Sequence, residues 1–215
     1  MIDEIKNKLK HFKKDIQGHG KSFVSSVLIP LVEIDKELYV LFELRSKTLN
    51  AQPGEISFPG GKKDEEDLTF MDTAIRETCE ELGVKEENIE IITEMDTFVA
   101  PFNLIIHPFL GILKDTSQMN INKAEVDHVF MVPLKYFFDT KPKRYGTKVQ
   151  VIPDEDFPYE HIPRGRNYEF KMGRYDVLLY DYEGYIIWGI TAKIIYDMVC
   201  HFKDMGILPD KIKNL

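Results

Sequence analysis

The sequence predicts a layered α/β (α+β) domain with a mixed sheet, on three observations. Two strand-like apolar segments precede a helix, and several strands and a closing helix follow, an order typical of layered α/β proteins. The chain has 215 residues, which is enough to bury one substantial core. Hydrophobic residues form 43% and charged residues 30% of the sequence, as in ordinary globular proteins.

The first predicted element is an amphipathic helix over residues 2–16. Its apolar residues recur at helical spacing, with lysines between them: Ile2, Ile5, Leu9, Phe12 and Ile16. Gly18-His19-Gly20 should end it. We expect the helix to pack on the protein, so that residues 1–20 form an appendage to a single domain at 21–215. A helix lying on a membrane surface is the alternative.

Two strands are predicted next, at residues 25–34 and 38–44, and a hairpin with a polar turn at 35–37 is their simplest arrangement. Residues 45–67 are polar and rich in Gly, Pro, Asp and Glu, which predicts a long loop. Loops of this length in compact domains are usually functional. We therefore expect this loop to contribute to a site.

A helix is predicted over residues 70–82, because Thr69 and Asp72 have the spacing of a capping box and Gly83 is a natural stop. The rest of the chain is assigned from its apolar patterning. It predicts strands at 89–99, 107–113, 126–134 and 175–182, irregular structure at 139–170, and a closing helix at 191–205.

Charge and cysteine content argue against several classes of protein. The chain carries 36 acidic and 28 basic residues, a formal charge of −8, which opposes binding to a nucleic acid backbone. With only Cys79 and Cys200, a disulfide framework is not expected. The N-terminus lacks signal-peptide character, and no apolar run approaches the roughly 20 residues of a membrane span. We therefore predict a cytoplasmic protein with no nucleic acid and no membrane partner.

The predicted helix at 70–82 carries an acidic face formed by Glu77, Glu80 and Glu81. Like charges at these spacings, near the negative end of the helix dipole, each cost up to about 1 kcal/mol. A bound divalent cation would reverse the sign of these penalties, since Mg²⁺ prefers carboxylate oxygens. A solvated acidic face is the alternative. The opposite face carries four residues that we expect to pack inward: Met71, Ile75, Thr78 and Leu82.

A glycine turn, Phe58-Pro59-Gly60-Gly61, lies shortly before this helix. Two glycines allow the backbone to approach a metal or a phosphate closely. The turn and the segment 76–84 together resemble the Nudix box, Gly-x5-Glu-x7-Arg-Glu-(apolar)-x-Glu-Glu-x-Gly-(apolar). The second half of the box matches at Arg76, Glu77, Glu80, Glu81, Gly83 and Val84, with Thr78 at an apolar position.

The first half of the box departs from the pattern, because Leu68 and Lys62 stand where Glu and Gly are expected. A loop expanded by one or two residues, with Asp64 or Asp67 near the place of the acid, would restore it. Such a loop is found in coenzyme A pyrophosphatases, and residues 41–61 resemble their signature, Leu-Leu-Thr-x-Arg-(Ser/Ala)-x3-Arg-x3-Gly-x3-Phe-Pro-Gly-Gly. Arg45, Ser46, Gly54 and Phe58 to Gly61 match it, and Phe42, Glu43 and Asn50 depart from it.

The resemblance implies a Nudix-type α/β/α sandwich with a loop-helix-loop catalytic motif and Mg²⁺ or Mn²⁺ as the cofactor. It implies metal binding by the Gly60 carbonyl and by Glu77, Glu80 and Glu81, and a catalytic group formed by these glutamates and Arg76, whose role is to orient a carboxylate such as Glu80. It implies substrate contacts from Arg45, Ser46, Gly60 and Gly61. Glu125 is either a further acid of the site or an ordinary surface residue.

The expected function is metal-dependent hydrolysis of the diphosphate bond of coenzyme A or acyl-CoA, which yields adenosine 3′,5′-bisphosphate and 4′-phosphopantetheine or its acyl form. The expected partner is therefore a small-molecule nucleotide substrate of the coenzyme A type, and a homodimer is left open. One alternative is the same chemistry on ADP-ribose, NADH or a dinucleoside polyphosphate. A different class is a non-catalytic nucleotide-binding regulator.

Overall fold

The structure, a computed structural model, describes residues 1–12, 16 and 22–208. Its helices and strands follow in chain order: α1 (Ile2–Leu9), β1 (Phe23–Ile34), β2 (Glu37–Arg45), β3 (Ile56–Ser57), β4 (Gly60–Lys62), α2 (Phe70–Leu82), β5 (Ile89–Glu94), β6 (Phe98–Ala100), β7 (Leu104–Leu113), β8 (Val126–Pro133), α3 (Leu134–Asp139), β9 (Lys143–Gln150), β10 (Met172–Tyr182), β11 (Tyr185–Trp188) and α4 (Gly189–Asp204).

The central sheet is mixed, as predicted. Its main strand order is β3-β2-β1-β7-β5, and β4, β6 and β8 pair with β1, β7 and β2 in turn. β1 runs parallel to β7 and antiparallel to β2 and β4. The predicted hairpin of β1 and β2 is confirmed, and its turn places Asp35 and Lys36 at positive φ. That geometry matches the two-residue turns that follow the natural twist of a hairpin.

Two apolar layers cover the two faces of this sheet, because successive side chains of a strand point to opposite sides. Leu28 and Leu41 face α2 and join one core, which includes Ala74 and Leu82. The neighbouring Ile29 and Phe42 belong to the other core, which α3, α4 and the small β9-β10-β11 sheet complete. This arrangement is the predicted α/β/α sandwich.

The N-terminal helix differs from the prediction in length and packing. α1 ends at Leu9, and none of its residues is buried; Ile2 and Leu9 are 70% and 57% exposed. The expected packing of this helix on the protein is therefore not observed. The predicted stop at Gly18-His19-Gly20 lies outside the described residues. The division at residue 20 stays a prediction. No helix in the described part of the chain has the length and hydropathy needed to cross a bilayer.

The prediction of irregular structure at 139–170 is wrong for residues 143–150, which form β9 and pair with β10. β9 is polar and almost wholly exposed, so it lacks the apolar alternation by which strands are recognised. The predicted strand at 89–99 is divided into β5 and β6, and the 45–67 loop contains the short strands β3 and β4. Both short strands hold the glycine turn against the central sheet.

Candidate functional site

The helix α2 has the predicted bounds because local signals set both of its ends. The Thr69 hydroxyl accepts the amide N–H of Asp72, and the Asp72 carboxylate accepts the amide N–H of Thr69, which completes the capping box. Gly83 ends the helix at φ 64°, a conformation that glycine adopts without strain. The acidic residues therefore occupy fixed positions in the last two turns.

The glycine turn packs directly against this helix. The Pro59 carbonyl accepts the amide N–H of Leu28 at 2.9 Å, which fixes the turn to β1. The Gly60 amide N–H donates to Glu81 Oε2 at 2.8 Å. Gly61 lies so close to the Glu77 carboxylate that a Cβ at this position would overlap it. The predicted glycines and two of the predicted glutamates are thus brought together.

The three helix glutamates differ in exposure. Glu81 is 3% exposed, whereas the Glu77 and Glu80 side chains are 16% and 56% exposed. Thr78 and Leu82 are buried as predicted, but Met71 is 38% exposed, so its predicted inward packing is wrong. Met71 lies in the first turn of the helix, before the part that meets the sheet most closely. The acidic face is therefore only partly a solvated face.

Burial and mutual repulsion act on these carboxyl groups. Burial raises the pKa of Glu81, and the neighbouring charge of Glu43 raises it further. Burial also raises the pKa of Glu77, although the adjacent Arg76 opposes this. A raised carboxyl pKa means that the charged form is disfavoured in the absence of a counter-ion. A cation in this position would stabilise the charged forms.

Two glutamates beyond the helix join the cluster. Glu43 on β2 is fully buried, and its charge acts on Glu81. Glu125, just before β8, acts on both Glu43 and Glu77. Ser46 holds the backbone of this segment, since its amide N–H donates to the Glu125 carbonyl at 2.7 Å. The sequence signalled Glu43 only as a departure from a signature, and Glu125 as one of two alternatives.

Arg76 links the expanded loop to the helix. Its Nε and Nη2 donate to the two oxygens of Asp67, each at 3.0 Å. The same guanidinium lies 3.0 Å from Glu77 and 3.3 Å from Glu80, so the predicted contact with Glu80 is present but is one of several. Of the two candidates for the first acid of the box, Asp67 is therefore the one that Arg76 holds through two hydrogen bonds. Asp64 contributes its amide N–H to the Asp67 carboxylate instead.

Replacing Asp67 with Asn should destabilise the protein by about 1.5–3 kcal/mol at pH 7, the range for hydrogen bonds to charged groups. The hydrogen bonds from Arg76 lower the pKa of Asp67 below its usual value. A lowered pKa stabilises the fold at neutral pH, and this contribution is lost as the pH falls through about 4 and below. Urea unfolding of both proteins at pH 7 and pH 3 measures the effect.

The difference between the wild type and D67N should shrink at the lower pH. The matched control is Asp64→Asn, because Asp64 is exposed and its carboxylate lies 3.8 Å from Arg76. This control should change stability by less than about 1 kcal/mol, as is usual for exposed ion pairs. Equal stability of D67N and D64N at pH 7 would contradict the role assigned to Asp67.

A cavity of about 250 Å³ opens beside the turn, and Arg45, Gly60 and Gly61 line it. Arg45 has a buried Nε without a hydrogen-bond partner, and its Nη1 is 3.8 Å from Glu43. Ser46, the fourth predicted substrate contact, is buried and bonds to Thr48 through its hydroxyl. Three of the four predicted residues therefore face the cavity.

The carboxylate oxygens of this cluster suit a hard divalent cation. Such a cation would relieve the repulsion among Glu43, Glu77 and Glu81. Mg²⁺ is usually held by one or two carboxylates with water and substrate phosphates rather than by a closed protein cage. In the described part of the chain, Glu77, Glu80 and Glu81 do not all three bring a carboxylate oxygen within 4.8 Å of the other two. The residues present fit such an ion.

A different group does converge this closely. Among the described residues, Asp96, Asp197 and His201 are the one set of three His, Cys, Asp or Glu side chains whose donor atoms lie within 4.8 Å. His201 Nε2 is 3.0 Å from Asp96 and 3.4 Å from Asp197, so direct hydrogen bonding accounts for their closeness. We assign no ligand to this group.

A known protein family and known relatives match the part of the chain that contains this site. The sequence profile of the NUDIX domain matches residues 23–154. The chain is 34% identical over 197 residues to the peroxisomal coenzyme A diphosphatase NUDT7 of Mus musculus, covering 90% of this chain and 77% of that protein. It is 31% identical to the peroxisomal coenzyme A diphosphatase ndx-8 of Caenorhabditis elegans, covering 64% of this chain and 59% of that protein.

The fold has a counterpart among solved structures. The crystal structure of a MutT/nudix family protein from Enterococcus faecalis matches with a TM-score of 0.51 and 14% identity, covering 100% of this chain and 74% of that one. This likeness concerns the fold alone. The profile match includes the glycine turn, Asp67 and the whole of α2. The chain belongs to the Nudix hydrolase family.

Proposed function

We propose that this protein hydrolyses the diphosphate bond of coenzyme A or an acyl-CoA, with Mg²⁺ or Mn²⁺ as cofactor. The products would be adenosine 3′,5′-bisphosphate and 4′-phosphopantetheine or its acyl form. The observation that carries the reaction type is the packing of Gly60 and Gly61 against the carboxylates of Glu81 and Glu77. The substrate rests on the loop at 45–61 and on the identity to the mouse coenzyme A diphosphatase.

We assign metal binding to Glu77, Glu80, Glu81 and the backbone of Gly60. When bound, a divalent cation neutralises charge on the diphosphate oxygens and lowers the pKa of water. The protein's own part is to hold its carboxylates in place. Gly60 fixes Glu81 through its amide, and Arg76 fixes Glu77 and Glu80 through its guanidinium. Positioning of this kind dominates catalysis of phosphoryl transfer.

We assign substrate binding to the cavity beside the turn. Arg45 lines it, and its partly exposed guanidinium suits a phosphate oxygen. Gly60 and Gly61 let the backbone approach the diphosphate closely. Ser46 supports the cavity indirectly, because its amide N–H donates to the backbone carbonyl of Glu125. Asn50 stands where the coenzyme A signature has Arg and is exposed, so the contact of an arginine with substrate at this place is missing.

Basic residues beyond the loop are less available to a substrate. Arg144 and Arg174 lie on β9 and β10, and each is 3.0 Å from the carboxylate of Asp176. Their charge is therefore partly neutralised within the protein. Both coenzyme A diphosphatases are named as peroxisomal proteins. These names do not support the cytoplasmic location predicted from the sequence, which stays a prediction.

A panel of substrates with Mg²⁺ and with Mn²⁺ tests this function. Coenzyme A and acetyl-CoA should show the highest kcat/KM, and mass spectrometry should identify adenosine 3′,5′-bisphosphate and the phosphopantetheine product. Turnover of ADP-ribose, NADH or a dinucleoside polyphosphate without turnover of coenzyme A would favour the same chemistry on another substrate. Binding of these nucleotides with no turnover of any would favour the regulator instead.

A further inference from the structure

Glu43 is a buried acid at an unusual position. It occupies the place of Thr in the coenzyme A pyrophosphatase signature, and its exposure is 0%. Its Oε1 accepts the Ser57 hydroxyl at 2.8 Å. Its Oε2 is buried and has no hydrogen-bond partner. Buried polar groups are nearly always hydrogen-bonded, so a free carboxylate oxygen requires an explanation.

Packing within the protein alone does not provide that explanation. The amide oxygen of a glutamine at this position could also accept the Ser57 hydroxyl, without burying a charge. Within the described residues, the cation beside Glu43 is Arg45, whose Nη1 is 3.8 Å away and whose Nε has no hydrogen-bond partner. The charges of Glu77 and Glu125 act on Glu43. The charge of Glu43 acts in turn on Glu81. Burial raises the pKa of Glu43, and the neighbouring Glu125 and Glu77 raise it further, so a nearby cation would stabilise its charged form.

The surroundings connect Glu43 to the proposed metal ligands. Ser57, which bonds to Glu43, lies three residues before Gly60. The Gly60 amide in turn holds Glu81. Glu43 and Glu81 thus approach the same turn from two sides, one from β2 and one from α2. Because Glu43 and Glu81 are both buried, water would screen the attraction between Glu43 and a cation beside Glu81 only weakly.

We propose that Glu43 is a positioning residue of the divalent-cation site, whose buried charge beside Glu81 increases the affinity of this site for Mg²⁺ or Mn²⁺. The proposal rests on the metal-dependent function proposed above. Residues that act behind metal ligands in this way typically change the affinity by about 10- to 100-fold.

Binding of Mn²⁺ alone, followed by electron paramagnetic resonance, tests the proposal without any substrate. Glu43→Gln keeps the shape of the side chain and removes its charge, and Glu43→Thr introduces the residue of the signature. Both should weaken Mn²⁺ binding by about 10-fold or more. Glu43→Asp retains the charge and should bind within a few-fold of wild type. Glu33→Gln, on the exposed end of β1, is the matched control and should not differ from wild type.

Thermal unfolding without metal separates this role from a merely structural one. The metal-free E43Q protein should be as stable as wild type or more stable, and Mn²⁺ should raise its Tm less. Unchanged Mn²⁺ affinity in both E43Q and E43T would overturn the proposal while leaving the hydrolase function intact. Loss of affinity in E43Q but no cleavage of coenzyme A by wild type would support this proposal and overturn the substrate. A loss of affinity in E43D equal to that in E43Q would overturn the role of charge.

Discussion

Glu77→Gln is expected to lower kcat at least about 100-fold on whichever diphosphate the protein cleaves. Metal ions in hydrolytic sites supply several kcal/mol of transition-state stabilisation, and each 1.36 kcal/mol corresponds to about tenfold in rate. Gln has the size of Glu but carries no charge. The effect should appear in kcat measured across a Mn²⁺ titration, with part of the loss recovered at high Mn²⁺.

The same variant should remain folded. Because burial raises the pKa of Glu77, its charged form is disfavoured in the metal-free protein. A neutral Gln removes that cost, so the Tm without metal should be unchanged or higher. Glu66→Gln is the control, since Glu66 is an exposed glutamate of the preceding loop. Full turnover by a folded E77Q protein would sink the assignment of Glu77 as a metal ligand.

The extent of α2 could be predicted from the sequence because its signals are local. Thr69 and Asp72 are three residues apart, and Gly83 follows the helix directly, so the chain within one turn decides each end. The mixed sheet could also be predicted, from the order of apolar segments along the chain. β9 could not be predicted, because its stability comes from pairing with β10, more than twenty residues later in the chain.

The site was predictable in its residue types but not in its environments. Helical periodicity placed Glu81 on a polar face, yet it is buried, because the Gly60 amide meets it from another part of the chain. Spacing alone left Asp64 and Asp67 as equal candidates, and the hydrogen bonds from Arg76 favour Asp67. In the sequence, Glu43 is only a departure from the coenzyme A pyrophosphatase signature. Its burial and its effect on Glu81, which the structure shows, connect it to the site.

The two glycines of the turn should respond in opposite ways to alanine. Gly60 has φ 155°, and a Cβ there would overlap the backbone of Ser26 and Val27 on β1. Backbone strain and overpacking each cost about 1–3 kcal/mol, so Gly60→Ala should lose roughly 2–6 kcal/mol of stability. Neither the sheet nor the turn can move away without breaking the pairing of β1 with β4.

Gly61→Ala should instead keep the fold and weaken metal binding. The three atoms nearest to a Cβ at Gly61 all belong to the carboxylate end of Glu77, and a flexible side chain can rotate out of the way. The Tm should stay close to wild type, whereas Mn²⁺ affinity should fall at least about tenfold as Glu77 leaves its position. Thermal unfolding and Mn²⁺ binding on both variants measure the two effects separately.

Two further glycines control for the general effects of alanine. Gly184 has φ 89° with nothing within 4 Å of its Cβ position, so Gly184→Ala isolates the cost of backbone strain from that of overlap. Gly173→Ala, whose nearest neighbours are at 3.6 Å, controls for adding a methyl group to a strand. If G61A bound Mn²⁺ as tightly as G173A, the Glu77 carboxylate would not need the space that Gly61 leaves. If G60A were no less stable than G184A, the close approach of the turn to β1 would not be what fixes Glu81. Opposite outcomes for adjacent glycines would show that one builds the turn and the other makes room for a ligand.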